Sequence, residues 1–201
     1  MTRFTYIYDT YCGWCYGASK VVDALIDSGA EIRLMHRHLF QGPNARRMAD
    51  GFGQMALQHD CRIAQLTGME FSQRYIDNLL LNAREILDSG LTAQAAALVH
   101  DKGAKTEFAL AKALQKARYV DGKSAADEQP IYEALNAAGV KDSLTDGIER
   151  AAEISHEAAR ILSRIGASGV PALLIHKDDQ TRVISIADYH SNPAAIAALT
   201  T

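Results

Sequence analysis

Two cysteines, Cys12 and Cys15, stand at the point where a strand-like run gives way to a helical one. No other feature restricts the fold of this chain so tightly. Upstream, Phe4-Thr5-Tyr6-Ile7-Tyr8 is dense in aromatic and β-branched residues and reads as a strand. Downstream, Ser19 to Ile26 carries apolar residues at 21, 22, 25 and 26, a helical interval. A helix N-terminus presents unpaired N–H groups and a partial positive charge, which stabilise a thiolate placed there. The two-residue gap lets Cys15 reach back one turn to Cys12, so the pair can close a small disulfide and reopen it by exchange. Half of a zinc site and two unrelated core cysteines are the rival readings. A structural zinc wants four ligands, yet the one remaining cysteine, Cys61, stands alone. His36 and His38, alternating with Arg33 and Arg37, bring no further ligands in a convincing pattern. Redox chemistry is therefore expected, and no metal.

The rest of the chain falls into three stretches. Glu31 to Leu39 reads as a second strand, so strand, helix and strand form a βαβ unit with parallel strands. From Ala45 to about Gly166 strand-like runs vanish, and alanine, leucine and mixed charges predict helices near 45–58, 72–87, 92–101, 105–119, 127–138 and 145–165. After Gly166-Ala167-Ser168-Gly169, the strand Val170 to His176, a turn at Asp178-Asp179 and a partner strand Arg182 to Ile186 suggest a hairpin. Asn192-Pro193 then caps a last helix. His36 and His38 read as solvated or core-edge histidines, His176 as a strand-end residue, Cys61 as a half-buried free thiol, and Arg46-Arg47 as solvated helix charges. Asp9 reads as a turn or N-cap residue.

Composition narrows the function classes. A chain of 201 residues with 48% hydrophobic residues can bury a real core. Its net charge of -3 offers no basic surplus for nucleic acid. No run approaches membrane-spanning length. The N-terminus passes straight into the first strand, leaving no room for a secretory signal, so a cytoplasmic protein is expected. In a reducing compartment a Cys-x-x-Cys pair is more often catalytic than structural.

Three pieces now stand together: Cys12-Gly13-Trp14-Cys15 at a strand–helix junction, a long helical insertion, and Gly169-Val170-Pro171 before a hairpin. Together they resemble the DsbA-like branch of the thioredoxin superfamily. Asp9-Thr10-Tyr11-Cys12-Gly13-Trp14-Cys15-Tyr16-Gly17 and Ala113 to Gly122 resemble, more closely, the FrnE-like protein disulfide isomerases. The resemblance implies an α/β, thioredoxin-like fold with a large all-helical insertion domain. Residues 1–42 and 167–201 would form the discontinuous thioredoxin-like domain, completed by the helix at 145–166, and 43–144 the insertion. It also implies a cis Val170–Pro171 bond beside the cysteines, with the Val170 carbonyl and N–H free to pair with a substrate strand. Two departures matter. Where that family carries a buried acid on the first strand, this chain has Tyr6, so the acceptor of the Cys15 proton is open, with Asp9 the nearby carboxyl that matches the motif. Gly13-Trp14 also replaces the Pro-His of DsbA, which implies a less oxidising disulfide.

On this reading Cys12 is the nucleophile and forms a mixed disulfide, and Cys15 resolves it. Trp14, Val170 and Pro171 bind substrate, while Gly13 and Asp9 support the motif. The expected activity is that of a thiol–disulfide oxidoreductase or protein disulfide isomerase. Its partners would be thiol- or disulfide-bearing proteins or small thiols, with no bound cofactor and with glutathione as a candidate co-substrate. Two rivals from other classes stand beside it. One is a glutathione-dependent isomerase or transferase, like the kappa-class transferases or hydroxychromene-carboxylate isomerases, which use a serine where this chain has Cys12 and need no second cysteine. The other is a non-enzymatic, redox-switched interaction module.

Overall fold

A computed structural model describes residues 2–167, 169–178 and 180–200. In chain order it contains β1 (Arg3–Tyr8), α1 (Gly13–Gly17), α2 (Ser19–Asp27) and β2 (Glu31–His36). Then come β3 (Arg46–Arg47), α3 (Phe52–Thr67), α4 (Gln73–Tyr75), β4 (Ile86–Leu87), α5 (Gly90–Val99), α6 (Ala104–Tyr119), α7 (Gln129–Ala137) and α8 (Ile148–Arg164). The chain closes with β5 (Ala172–Lys177), β6 (Gln180–Ile184) and short 3-10 turns.

Beyond Arg3, every residue of β1 is buried, as a strand covered on both faces must be. It sits inside the sheet order β2-β1-β5-β6, parallel to β2 and antiparallel to β5. Alternate side chains point to opposite faces. Phe4, Tyr6 and Tyr8, with Leu34, Leu173 and Ile175, therefore pack on Val21, Val22 and Leu25 of α2 and on Phe108 and Ala111 of α6. Ile7, Met35, Ala172 and Leu174 pack on the other side against Ala93 and Ala97 of α5 and Ala151, Ile154, Ala158 and Leu162 of α8. Helices α5 and α6 thus share their cores with the sheet. A third cluster joins Tyr11 and Tyr16 to Met48, Tyr75, Leu79, Leu87 and Tyr119 and seats α3 and α4 beside the cysteine motif. The architecture is the thioredoxin-like α/β fold with added helices that the sequence predicts.

Several boundaries differ from the sequence reading. The helix expected over 45–58 begins only at Phe52, because Gly51 takes a left-handed backbone (φ 85°) and Arg46-Arg47 pair as β3 with Ile86-Leu87 of β4. The arginines are exposed strand residues, and the same pairing cuts short the helix expected over 72–87. Composition gives no warning of a two-residue ladder, whose partners are brought together by the packing of α3. The second strand stops at His36, since the chain must bend at His38 (φ 36°). The partner strand of the hairpin covers Gln180–Ile184 and not 182–186, the last helix is a 3-10 run, and Cys61 is exposed, not half-buried. Of the turn expected at Asp178-Asp179, Asp178 adopts φ 49°, while Asp179 lies outside the described residues, as does Ser168 of the preceding loop. No helix among the described residues is long and apolar enough to cross a membrane.

Candidate active site

The strand–turn–helix around the motif forms as its sequence suggests. Tyr8 ends β1, the Cys12 N–H donates to the Asp9 carbonyl, and Cys12 becomes the N-cap of α1 with an extended backbone. Cys12 and Cys15 are free thiols 3.6 Å apart. Their surroundings differ. Cys12 keeps 7% of its surface at the edge of a cleft of about 480 Å³, whereas Cys15 is sealed at 0%. Burial, with the adjoining Cys12 sulfur second, pushes the Cys15 thiol up, so Cys15 holds its proton behind its neighbour. The Val170–Pro171 bond is cis, and the Cys12 thiol donates to the Val170 carbonyl at 3.7 Å. Residue types far apart in the chain, Cys12, Trp14 and Val170, therefore line one cleft. The half-buried Trp14 meets the cleft and packs edge-on against His59, ring centroids 6.4 Å apart.

Asp9 is more than a turn residue. Wholly buried, its Oδ1 accepts the Tyr11 N–H (2.8 Å), and its Oδ2 accepts the Leu39 N–H (2.7 Å) and the Ser89 hydroxyl (2.6 Å). It clasps the motif loop, the bend after β2 and the start of α5. With both oxygens engaged on structural donors, it is poorly placed to receive a proton from Cys15. Tyr6, at the position of the missing strand acid, is buried near both cysteines, and its hydroxyl has no hydrogen-bond partner among the described residues. Burial first, then the two cysteines, hold that phenol well above its ordinary range, so Tyr6 keeps its proton.

His36 is not a solvated or edge residue. Only 2% exposed, its Nδ1 faces the His38 N–H and its Nε2 faces both the N–H and the hydroxyl of Thr10, each at 3.2 Å. Alternation along β2 hid this, because Thr10 and Thr92 of α5 close over His36, and His38 beyond the strand end is buried as well. Burial pushes its pKa down to about 4. The neutral ring is thus favoured in the fold, and the stability it contributes is present above pH 6.5 and lost as pH falls from 6.5 toward 4. The expected loss is roughly 3 kcal/mol, from the difference between the two values. Denaturant midpoints measured across that window should fall in the wild type and fall much less in His36→Gln, while the His36 ring signal in NMR should not move until near pH 4.

The insertion supplies the far wall of the cleft, which the sequence did not announce. Gly13 and Gly17 lie one turn apart on α1, and α3 packs flush against them. A Cβ on Gly13 would sit 2.5 Å from Asp60 Oδ1, and one on Gly17 2.6 Å from Ile63 Cγ2. Gly13 supports the motif by admitting this approach. Asp60, 4% exposed, accepts the Tyr75 hydroxyl at Oδ2 (2.9 Å). Arg118 lies at the floor, 1% exposed, over the rings of Tyr11 (5.0 Å) and Tyr75 (5.8 Å) and paired with Glu85 (3.1 Å). Its Nε and Nη2 have no partner among the described residues. On the opposite side His38 donates Nδ1–H to Gln41 (2.6 Å), and its buried Nε2 has no hydrogen-bond partner among the described residues. Its left-handed backbone costs a non-glycine residue about 1 kcal/mol. The one signal for these residues is the helical spacing of Asp60, Ile63 and Thr67, and it cannot say what that face meets. His176 bridges Thr5 and Thr181 at a strand end, remote from the cleft. No group of three or more His, Cys, Asp or Glu side chains among the described residues could hold a metal ion.

The geometry can be set beside known proteins. The family model of the DSBA-like thioredoxin domain matches residues 5–190. No curated protein matches the chain in sequence. Among solved structures, the cytosolic disulfide reductase DsbM from Pseudomonas aeruginosa is similar, with TM-score 0.85 and 27% identity over 98% of this chain and 95% of that one. Its structure with GSH gives TM-score 0.81 at the same identity, covering 98% and 96%. A candidate protein disulfide isomerase from Nitrosomonas europaea (TM-score 0.77, 20% identity, 98% and 95% covered) shares the fold. So does a 2-hydroxychromene-2-carboxylate isomerase (0.57, 16%, 98% and 95%).

Proposed function

Because this chain belongs to the DSBA-like thioredoxin domain family, we propose that it is a thiol–disulfide oxidoreductase working through Cys12 and Cys15. One observation carries the reading: Cys12 opens onto a cleft while Cys15 sits sealed 3.6 Å behind it. The asymmetry supports a division of roles. Cys12 attacks a substrate disulfide and forms a mixed disulfide, and Cys15 attacks the Cys12 sulfur from within and releases the second thiol. The Val170 carbonyl and N–H, ahead of Pro171, would align the substrate chain, and Trp14 would offer it an apolar surface. A thiol at Cys12 with a resolving partner in place is what the rival isomerase chemistry does not need.

The finer reading is a reductase or isomerase that draws on glutathione in the cytoplasm. It is supported by the likeness to a cytosolic disulfide reductase that has been seen with GSH. Charge also supports it: Arg37, Arg46 and Arg118 line the cleft against one carboxyl, Asp60, so a small thiol bearing carboxylates is the better match. The organisation follows the same reading, with 1–42 and 167–201 as the thioredoxin-like unit, completed by the helix at 145–166, and 43–144 as the insertion that walls the cleft.

The test is the reduction of insulin with glutathione as electron donor, together with the equilibrium of the Cys12/Cys15 couple in glutathione buffers. Turnover, and a couple poised near the glutathione pool, are expected. A couple that equilibrates without catalysing turnover would leave the redox-switched module. A couple that never forms would sink the oxidoreductase reading itself.

A further inference from the structure

The sulfur displaced in disulfide exchange leaves more readily when a proton reaches it, and the groups around the cysteines differ sharply in their ability to give one. Tyr6 holds its proton too tightly, both oxygens of Asp9 are engaged, and both ring nitrogens of His36 are bonded. Asp60 is different. It is nine-tenths buried, its Oδ2 is fixed by Tyr75, and its Oδ1 lies against Gly13 of the motif and accepts no hydrogen bond among the described residues. It lines the same cleft as Cys12.

We infer that Asp60, from the helical insertion, is the general acid–base of the exchange, giving a proton to the substrate sulfur displaced from the attacked disulfide and taking it back in the reverse direction. The inference rests on the oxidoreductase reading. In the reductive direction the Cys12 thiolate bonds to one sulfur of R–S–S–R′ and the S–S bond breaks. The departing R′–S⁻ takes the Asp60 proton. Cys15 then bonds to the Cys12 sulfur, R–S⁻ leaves with the proton that Cys15 gives up, and Asp60 is reprotonated from solvent. The substrate gains two electrons and two protons, and the Cys12–Cys15 pair is oxidised.

The electrostatics fit this work. Burial pushes the Asp60 pKa up to about 7, held back by the Tyr75 hydrogen bond and by Arg118. The titratable and charged groups around it are Tyr75 on α4, Arg118 and Tyr119 on α6, Cys12 ahead of α1 and His59 beside it on α3, with Glu85 behind Arg118. A group with a pKa near the working pH is the most effective proton carrier.

The experiment follows the reaction of reduced protein with a neutral dialkyl disulfide from pH 5.5 to 9, read by the fluorescence of the single tryptophan, Trp14. Rates are normalised to the thiolate fraction of Cys12, measured by absorbance. The normalised rate should fall as pH rises through about 7, and Asp60→Asn should abolish that limb and slow the reaction roughly 10- to 100-fold at pH 6.5. Tyr75→Phe removes a hydrogen bond that lowers the Asp60 pKa, so the limb should move to higher pH. A limb that survives in Asp60→Asn, for instance one carried by the Nε2 of His38, overturns the inference, as does a limb that Tyr75→Phe leaves in place. Should Asp60→Asn fail to fold, carboxyl-carbon NMR of the wild type decides, since an Asp60 carboxyl that does not titrate between pH 6 and 8 also overturns it. A wild type that does not react with the disulfide at all would instead count against the oxidoreductase reading.

Discussion

Cys12→Ser is expected to abolish disulfide exchange, with a loss of at least ~10³-fold, while Cys15→Ser should instead accumulate a mixed disulfide with substrate. A hydroxyl cannot replace the thiolate as nucleophile near neutral pH, so nothing at the cleft edge attacks. The two losses differ because the two sulfurs sit differently: Cys12 meets the cleft and Cys15 does not. In Cys15→Ser the first bond still forms at Cys12, but the group that breaks it from inside is missing. Mass spectrometry after exposure to oxidised glutathione should find one adduct, on Cys12, in Cys15→Ser. The exposed Cys61 is a second acceptor in that assay, so it is run in a Cys61→Ser background. An adduct on Cys15 in Cys12→Ser with none on Cys12 in Cys15→Ser would reverse the assignment, and full turnover in Cys15→Ser with glutathione bound would favour the glutathione-dependent isomerase reading.

Asp9→Ala should cost the fold more than any other single change near the motif. Its removal strands the Tyr11 N–H in the interior, frees the Leu39 N–H and leaves the Ser89 hydroxyl only the more distant Phe40 carbonyl (3.2 Å). An unsatisfied buried donor costs about 1–3 kcal/mol, so the sum is of order 4 kcal/mol. For a domain of this size that corresponds to a fall in melting temperature of about 10 °C. Ser89→Ala, which removes one donor to the carboxylate and the acceptor of the Phe40 N–H, should lose less, about 2 kcal/mol. Calorimetry of the two variants checks the difference. Equal losses would mean that Asp9 is solvated and does not clasp the three segments.

Much of this was legible in the chain. Phe4 to Tyr8, the cysteine pair and the helix after it follow from local patterning, and the parallel pairing of β1 with β2 follows from the short βαβ link. The antiparallel hairpin of β5 and β6 was visible in the same way. Boundaries in the insertion were not. Arg46-Arg47 looked like helix charges because a two-residue strand has no periodicity to read, and Gly51 could end a helix or begin one.

The sequence by itself determined that a cysteine pair sits at the start of a helix after a buried strand, because spacing and alternation act between residues near in the chain. Only the tertiary structure decided which sulfur faces the cleft, how deeply His36 and His38 are buried, and that Asp60, Tyr75 and Arg118 stand at the cleft. Burial and proton affinity are set by whatever surrounds a group in space. Here that surrounding comes from α3, α4 and α6, long after the motif has passed, where two glycines let one helix lie against another.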